Sequence, residues 1–270
     1  MIFFFSGTGN SLYAARQIAE VAGESMRSIA QAINDETPVY ADERIGIVCP
    51  VYSHDLPPLV KRFIERSTFS TPYFFVALTH GNRAGGAQEI ARRFLAERGI
   101  ELAYSHTLLM VDNWLPGYDI AVERASDKHI DENLAAIAAD VAARRRYLQP
   151  ATADDLAIYE QGLQKYGDLF ANLDFLRSFL AITERCTGCT TCTRICPAGC
   201  IELGIKADGL FGAVRDAAAG NVCTACLACV HACPAHAIEI SMGELNPEAH
   251  FTNEHTSIAE LIEANDQGVW

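Results

Sequence analysis

Positive charge is scarce in this 270-residue chain, which has 21 Lys and Arg against 34 Asp and Glu and a formal net charge of -13. Such a negative field repels phosphate backbones and anionic headgroups, so nucleic acid and anionic membranes are not expected partners. The chain also lacks any run of about 18 apolar residues, so we expect no membrane span. The apolar opening Ile2–Phe5 is too short for a signal peptide and follows no basic residues, which predicts a cytoplasmic protein.

Cysteine is the residue type whose spacing is most informative. Eight of the 10 cysteines fall into two copies of C-x2-C-x2-C-x3-C-P, at Cys186–Pro197 and Cys223–Pro234, and a shift of 37 residues aligns the copies. Thiolates at this spacing bind two [4Fe-4S] clusters, and the fourth cysteine of each copy binds the cluster of the other copy. The predicted ligands are therefore Cys186, Cys189, Cys192 and Cys233 for the first cluster, and Cys223, Cys226, Cys229 and Cys196 for the second.

Zinc and disulfides are the alternatives for these cysteines. Zinc sites take C-x2-C pairs in sets of four cysteines, which leaves the third cysteine of each copy and the repeated Cys-Pro unexplained. Disulfides require an exported protein, and the sequence indicates no signal peptide, so disulfides are not expected here. The two remaining cysteines, Cys200 and Cys49, are predicted to be inert buried thiols, because Cys200 aligns with Ala237 and Cys49 ends an apolar strand. With eight cysteines present, the clusters do not need His231.

A small-residue loop follows the first apolar segment. Met1–Phe5 is predicted to be a strand and Leu12–Ala22 a helix, and the loop between them consists of Ser6, Gly7, Thr8, Gly9, Asn10 and Ser11. Glycines permit a tight turn and a helix N-terminus attracts anions, so the loop is predicted to bind phosphate. It lacks the lysine of a Walker loop and the third glycine of the dinucleotide fingerprint. A plain turn is the alternative for this composition.

Alternating strand-like and helical segments continue to residue 150. The strands are expected at Met26–Ala30, Ile45–Cys49, Tyr73–Thr79 and Thr107–Val111, and the helices at Leu59–Arg66, Ala87–Arg98 and Asp131–Leu148. With the opening strand they predict an α/β fold with a five-stranded, doubly wound parallel sheet. Its ligand site lies where the loops after strands one, three and four converge. The residues of the second and third loops that are predicted to contact a flat ring are Pro50, Val51, Tyr52, Ser53, Thr79, His80, Gly81, Asn82, Gly85 and Gly86.

Two parts of the chain resemble known families. Ser6–Ser11 resembles the FMN phosphate loop of flavodoxins, and Cys186–Pro234 resembles bacterial-type two-cluster ferredoxins at all eight ligands. The whole chain resembles the flavodoxin-ferredoxin fusion proteins of anaerobic bacteria and archaea. This resemblance implies FMN and two [4Fe-4S] clusters. It also implies four regions, which are a flavodoxin-like domain (1–150), a helical linker (151–183), a small α+β ferredoxin domain (184–243) and an acidic tail (244–270).

The resemblance implies an electron-transfer protein that relays electrons between the clusters and FMN and so couples one-electron and two-electron redox proteins. The alternative is an FMN-dependent oxidoreductase that reduces a quinone or nitro compound, with Trp114 and Tyr118 beside its substrate. A sensor of cluster oxidation has the least support, because the sequence contains no DNA-binding or effector segment. No catalytic residue is predicted, and a homodimer is compatible with the sequence.

Overall fold

The structure of the protein is a computed structural model that describes residues 1–166, 169–206, 209–215 and 222–268. The chain forms two compact units. The first comprises Met1–Ser6, Asn10–Val111 and Asp127–Asp168, and the second Gly7–Gly9, Asp112–Ser126 and Leu169–Trp270. No helix within the described ranges is long and apolar enough to cross a membrane.

The first unit is built on a parallel sheet. Its strands, in chain order, are β1 (Ile2–Phe4), β2 (Met26–Ser28), β3 (Val39–Ala41), β4 (Ile45–Pro50), β5 (Thr68–Ser70), β6 (Phe74–His80), β7 (Leu102–Leu109) and β8 (Tyr147–Leu148). Six of them form one sheet in the order β2-β1-β4-β6-β7-β8, in which every neighbouring pair is parallel. The remaining two, β3 and β5, pair with each other. The α/β class with a parallel central sheet is confirmed, and β8 adds an edge strand to the five that were expected.

The sheet is buried because its central strands are almost entirely apolar. Strand β4 has five consecutive buried residues and β6 has six, as expected for parallel strands that are covered on both faces. The helices of this unit are Asn10–Ala22, Ile29–Ala32, Pro58–Arg66, Ala87–Ala96, Ile130–Ala142 and Ala153–Tyr166. The first of them begins at Asn10, so the last two residues of the predicted loop, Asn10 and Ser11, belong to its first turn, and the order strand, loop, helix agrees with the prediction.

One predicted helix is too long. The apolar spacing predicted a helix over Asp131–Leu148, but the helix ends at Ala142. Arg144 then adopts a left-handed conformation with φ of 51°. Tyr147–Leu148 forms β8, because backbone pairing with the edge of β7 and contact of the Tyr147 ring with Tyr104 outweigh helix propensity. The basic run at 144–146 therefore lies in the connection between this helix and β8.

The second unit contains short elements around the cysteine motifs. Its strands are β9 (Leu180–Ile182), β10 (Glu202–Ile205), β11 (Phe211–Val214) and β12 (Ile238–Ile240), and β10 pairs antiparallel with β11 and β12 with β9. Its α-helices are Ile120–Ala125, Leu173–Ser178, Thr191–Ile195, Ala228–His231 and Ile258–Asn265, and a 3-10 turn spans Leu169–Ala171. The pair β10 and β11 lies in the connection between the two cysteine motifs. Within the expected helical linker, 151–183, the described residues include the helices Ala153–Tyr166 and Leu173–Ser178, and Asn172 caps the second.

Packing in the first sheet predicts the effect of one glycine substitution. A Cβ at Gly46 of β4 would lie 2.0 Å from the ring of Phe75, whose side chain is fully buried. We expect Gly46→Ala to lower the free energy of unfolding by about 1–3 kcal/mol, as overpacking does. Gly162→Ala is the matched control, because its nearest atom would be 3.9 Å away and alanine favours the helix by about 0.5–1 kcal/mol. Urea unfolding followed by circular dichroism measures both changes, and an undiminished stability of Gly46→Ala contradicts this packing.

Candidate cluster sites and phosphate loop

The four thiols predicted to bind the first cluster line one pocket. Cys186, Cys189 and Cys192 come from the first copy of the motif, and Cys233 comes from the second. Apolar residues complete the wall, including Ile182 of β9 and Ile238 of β12, together with Ala213, Ala235 and Ala237. Burial, followed by the charges of the other three thiolates, raises the pKa of Cys192 to about 12. The structure therefore brings together the set of ligands that the exchange of fourth cysteines requires.

The second set of thiols shows the same exchange. Burial, followed by the charges of Cys196 and Cys226, raises the pKa of Cys229. Burial and the charge of Cys196 also raise the pKa of Cys226, to about 11. Cys196 belongs to the first copy of the motif, yet its charge acts on two cysteines of the second copy. Three members of the predicted second set, Cys196, Cys226 and Cys229, thus lie close enough for their charges to interact.

The backbone repeats its unusual conformations at the same 37-residue shift. Left-handed φ angles between 47° and 71° occur in matched pairs in the two copies, namely at Gly188 and Ala225, Thr190 and Leu227, and Gly199 and His236. Such residues turn successive N–H groups towards one point, which forms a concavity that binds anions. For residues other than glycine the left-handed conformation costs about 1–3 kcal/mol. A conformation retained in both copies despite this cost indicates that the sulfur atoms need these donors.

Backbone N–H groups do point at the thiol sulfurs. Ala225 N donates to Cys223 Sγ at 3.3 Å, and Ala237 N donates to Cys233 Sγ at 3.2 Å. Ala213 N, in β11, donates to Cys186 Sγ at 3.5 Å. The antiparallel pair of β10 and β11, which lies between the two copies of the motif, therefore supplies a donor to a predicted ligand of the first set.

The cysteines and the histidine outside the predicted sets have different surroundings. Cys49 is fully buried in β4, and burial raises its pKa. His231 uses both ring nitrogens, because Nδ1 accepts from Phe251 N at 3.0 Å and Nε2 donates to Asn113 O at 3.0 Å. It therefore has no nitrogen to offer to iron. Cys200 is buried as predicted, but its Sγ lies 3.5 Å from Cys196 Sγ, so it is not remote from the ligands.

The small-residue loop is buried, and part of it groups with the second unit. Ser6, Thr8, Asn10 and Ser11 are between 1% and 7% exposed. Within the second unit, Thr8 Oγ1 accepts from Asn113 Nδ2, and Thr8 O accepts from Asn253 N at 2.9 Å. A Cβ at Gly9, where φ is 103°, would lie 2.0 Å from Thr256 Oγ1. Only glycine fits at this position, and the carbonyl of Thr8 is already bonded to the C-terminal segment.

In the first unit, the loops after neighbouring strands are joined by hydrogen bonds. Ser11 Oγ and Thr79 Oγ1 are 2.8 Å apart, which links the loop after β1 to the end of β6. Val51 N donates to Thr79 O at 2.8 Å, which links the loop after β4 to the same residue. Because β1, β4 and β6 are adjacent, their carboxyl ends lie side by side, as the ligand-site prediction requires.

The loop after β4 is a tight turn whose importance was not apparent in the sequence. Tyr52 and Asp55 exchange two backbone hydrogen bonds of 2.9 Å, and Ser53 and His54 between them both have positive φ. His54 ends the loop that was expected to converge on the ligand site, Pro50–His54, but no contact was predicted for its ring. Its ring lies against Gly85, where a Cβ would be 2.3 Å from His54 Nδ1. Two of the predicted ring-contacting loops therefore touch.

Two histidines in these loops have an unused nitrogen. His54 Nδ1 and His80 Nδ1 are buried and have no hydrogen-bond partner among the described residues. Burial, with smaller contributions from Lys128 and His54, lowers the pKa of His80 to about 4 and keeps this ring neutral. Buried polar atoms are normally paired, so these two are consistent with a ligand that carries hydrogen-bonding groups. They fit a polar ligand more readily than an apolar one.

The aromatic candidates pack against other protein rings. Tyr52 makes an edge-to-face contact with Phe5, at 6.3 Å between ring centroids. Trp114 stacks on Phe179, with centroids 5.7 Å apart and planes 4° from parallel, and its ring also contacts Phe170. This geometry fits a place in apolar packing better than the place beside a substrate that the alternative function gives to Trp114.

Comparisons with known proteins support the cluster sites. Residues 185–238 match the family described as the 4Fe-4S dicluster domain, a range that includes all eight predicted cluster ligands. A search of curated protein sequences finds no match.

Among solved structures, similar chains include a putative flavoprotein from Bacteroides uniformis ATCC 8492 (15% identity, 46% of this chain and 94% of that chain, TM-score 0.33). Another is rubredoxin oxygen:oxidoreductase from Desulfovibrio gigas (14% identity, 53% of this chain and 34% of that chain, TM-score 0.34). A third is NAD(P)H:quinone oxidoreductase from Methanothermobacter marburgensis (12% identity, 56% of this chain and 97% of that chain, TM-score 0.33). Similarity at this level supports no inference about activity.

The hydrogen bond between Ser11 and Thr79 can be tested by a double-mutant cycle. Ser11→Ala leaves the buried Thr79 hydroxyl without this partner, and we expect it to lower the free energy of unfolding by about 1–3 kcal/mol. Thr79→Val removes the other hydroxyl and keeps the side-chain shape. The double variant should cost less than the sum of the single variants, because neither partner is then left unsatisfied. Strict additivity in urea unfolding would show that the two hydroxyls do not interact.

Proposed function

We propose that this protein is an electron-transfer protein that holds two [4Fe-4S] clusters and FMN, and that it relays electrons between redox partner proteins. The observation that supports the proposal best is the interleaving of the two cysteine sets. Cys233 joins the three cysteines of the first copy around one pocket, and the charge of Cys196 acts on Cys226 and Cys229 of the second copy. This exchange suits two adjacent cubanes and has no purpose in two independent zinc sites.

The exposure of the ligands supports the first cluster as the place where electrons are exchanged with a partner protein. Cys189 of the first set is exposed, whereas Cys196, Cys223 and Cys229 of the second set are buried. A partner protein can therefore approach the first cluster more closely, and electrons enter or leave there. With a net charge of -13, the chain selects a partner with a basic surface and repels acidic ones.

FMN is the second cofactor of the proposal. The loop at Ser6–Ser11 would hold its phosphate at the N-terminus of the helix Asn10–Ala22, and Thr79, His80 and Gly85 would lie near its ring. When bound, FMN supplies a site that takes two electrons in separate steps. In the structure the hydroxyls of Thr8 and Ser11 bond to Asn113 and Thr79, so phosphate binding must exchange these partners or rely on backbone N–H groups.

A small-molecule oxidoreductase is the alternative, and the structure favours it less. Its predicted substrate wall included Trp114, whose ring is stacked on Phe179. No further observation on the described residues favours a quinone or nitro compound as the substrate.

Anaerobic reductive titration with titanium(III) citrate tests the proposal. We expect the purified protein to accept about four electron equivalents per chain, one for each cluster and two for the flavin. If the purified protein contains no flavin and accepts only two electron equivalents, the proposal that it binds FMN is contradicted. If it contains no iron and accepts no electrons, the whole proposal is contradicted. In a parallel assay with dithionite as the donor, saturable turnover of benzoquinone or nitrobenzene would favour the enzyme instead of the carrier.

A further inference from the structure

The second cluster site contains a fifth thiol. Cys200 is 6% exposed, and its Sγ lies 3.5 Å from Sγ of Cys196, a predicted ligand. A thiol in contact with a ligand sulfur is in a position to affect the cluster which that sulfur would hold.

The first cluster site has the same backbone but not the same side chain. A shift of 37 residues places Cys200 on Ala237, and both residues donate a backbone N–H to the fourth cysteine of their copy. Cys200 N lies 3.5 Å from Cys196 Sγ, and Ala237 N lies 3.2 Å from Cys233 Sγ. The backbone donor is therefore common to both sites, and the sites differ at this position by a thiol in place of a methyl group. The first site, with Ala237 at this position, therefore serves as a reference for the effect of the Cys200 thiol on the second site.

Iron binding determines whether Cys196 or Cys200 donates the hydrogen bond between their sulfur atoms. When Cys196 is bound to iron as a thiolate, its sulfur can only accept, so the proton of the contact belongs to Cys200. A hydrogen bond to a ligand sulfur stabilises the reduced cluster, which carries one more negative charge than the oxidised cluster. Hydrogen bonds to the sulfurs are among the factors that set the reduction potential of a cluster.

We propose that Cys200 is a positioning residue that raises the reduction potential of the second cluster above that of the first by donating its thiol proton to a ligand sulfur. The inference rests on the two-cluster content of the proposed function. As a consequence, an electron that enters at the first cluster, next to the exposed Cys189, moves to the second cluster with a favourable change in free energy. The residue binds no substrate and no iron.

Three variants test the inference by redox titration followed with electron paramagnetic resonance. We expect Cys200→Ala to move one of the two midpoint potentials to a more negative value, by up to a tenfold change in the one-electron equilibrium constant, or about 59 mV. Cys200→Ser keeps a donor and should give a smaller shift. The reciprocal variant, Ala237→Cys, should move the other midpoint to a more positive value.

Iron and sulfide are measured first in every sample, so that the inference and the proposed function can fail separately. A wild-type protein without two clusters overturns both. If Cys200→Ala retains both clusters with unchanged potentials, the inference is overturned and the proposed function stands. Loss of the second cluster in Cys200→Ala would instead make Cys200 a ligand or an assembly residue, which also overturns the inference. If Cys200→Ser shifts the midpoint potential as much as Cys200→Ala does, the effect is due to packing and the inference is overturned as well.

Discussion

Negative charge held inside the protein is the constraint on which the second unit depends. Each cysteine set gathers four groups that must become thiolates, within a chain whose formal charge is already -13. Burial and mutual repulsion raise the pKa of Cys192 and Cys229, so these thiols favour the protonated form unless a positive charge compensates. Only cations at the centre of each set can hold all four thiols deprotonated. Folding of this unit and cluster binding are therefore coupled.

The exchange of fourth cysteines makes the two sites interdependent. Cys233 lies after the second motif and joins the first pocket, where Ile238 of β12 and Ile182 of β9 form part of the wall. The second copy of the motif thus contributes both a thiol and part of the wall to the first pocket. The repeated left-handed residues show the same dependence, because Ala225 and His236 keep conformations that glycine adopts at Gly188 and Gly199 in the first copy. This strain is tolerated because the N–H donors it creates point at sulfur.

Sequence alone predicted the features that depend on short-range spacing. The cysteine sets, the strand-loop-helix at Ser6–Ser11 and the parallel sheet follow from local patterns. Features that depend on distant partners were missed. The helix expected to reach Leu148 ends at Ala142, because the edge of β7 offers Tyr147 and Leu148 backbone partners that no local pattern reveals. Cys200 was predicted to be inert from its alignment with Ala237, and its contact with Cys196 became visible only when the chain was folded.

The most direct test of the account is the iron and acid-labile sulfide content of the full chain purified without oxygen. Two cubanes predict about eight iron and eight sulfide per chain, with the visible absorption and paramagnetic signals of reduced [4Fe-4S] clusters. Zinc with no sulfide, or iron bound to cysteine without sulfide, would contradict the central claim that the two interleaved cysteine sets hold [4Fe-4S] clusters.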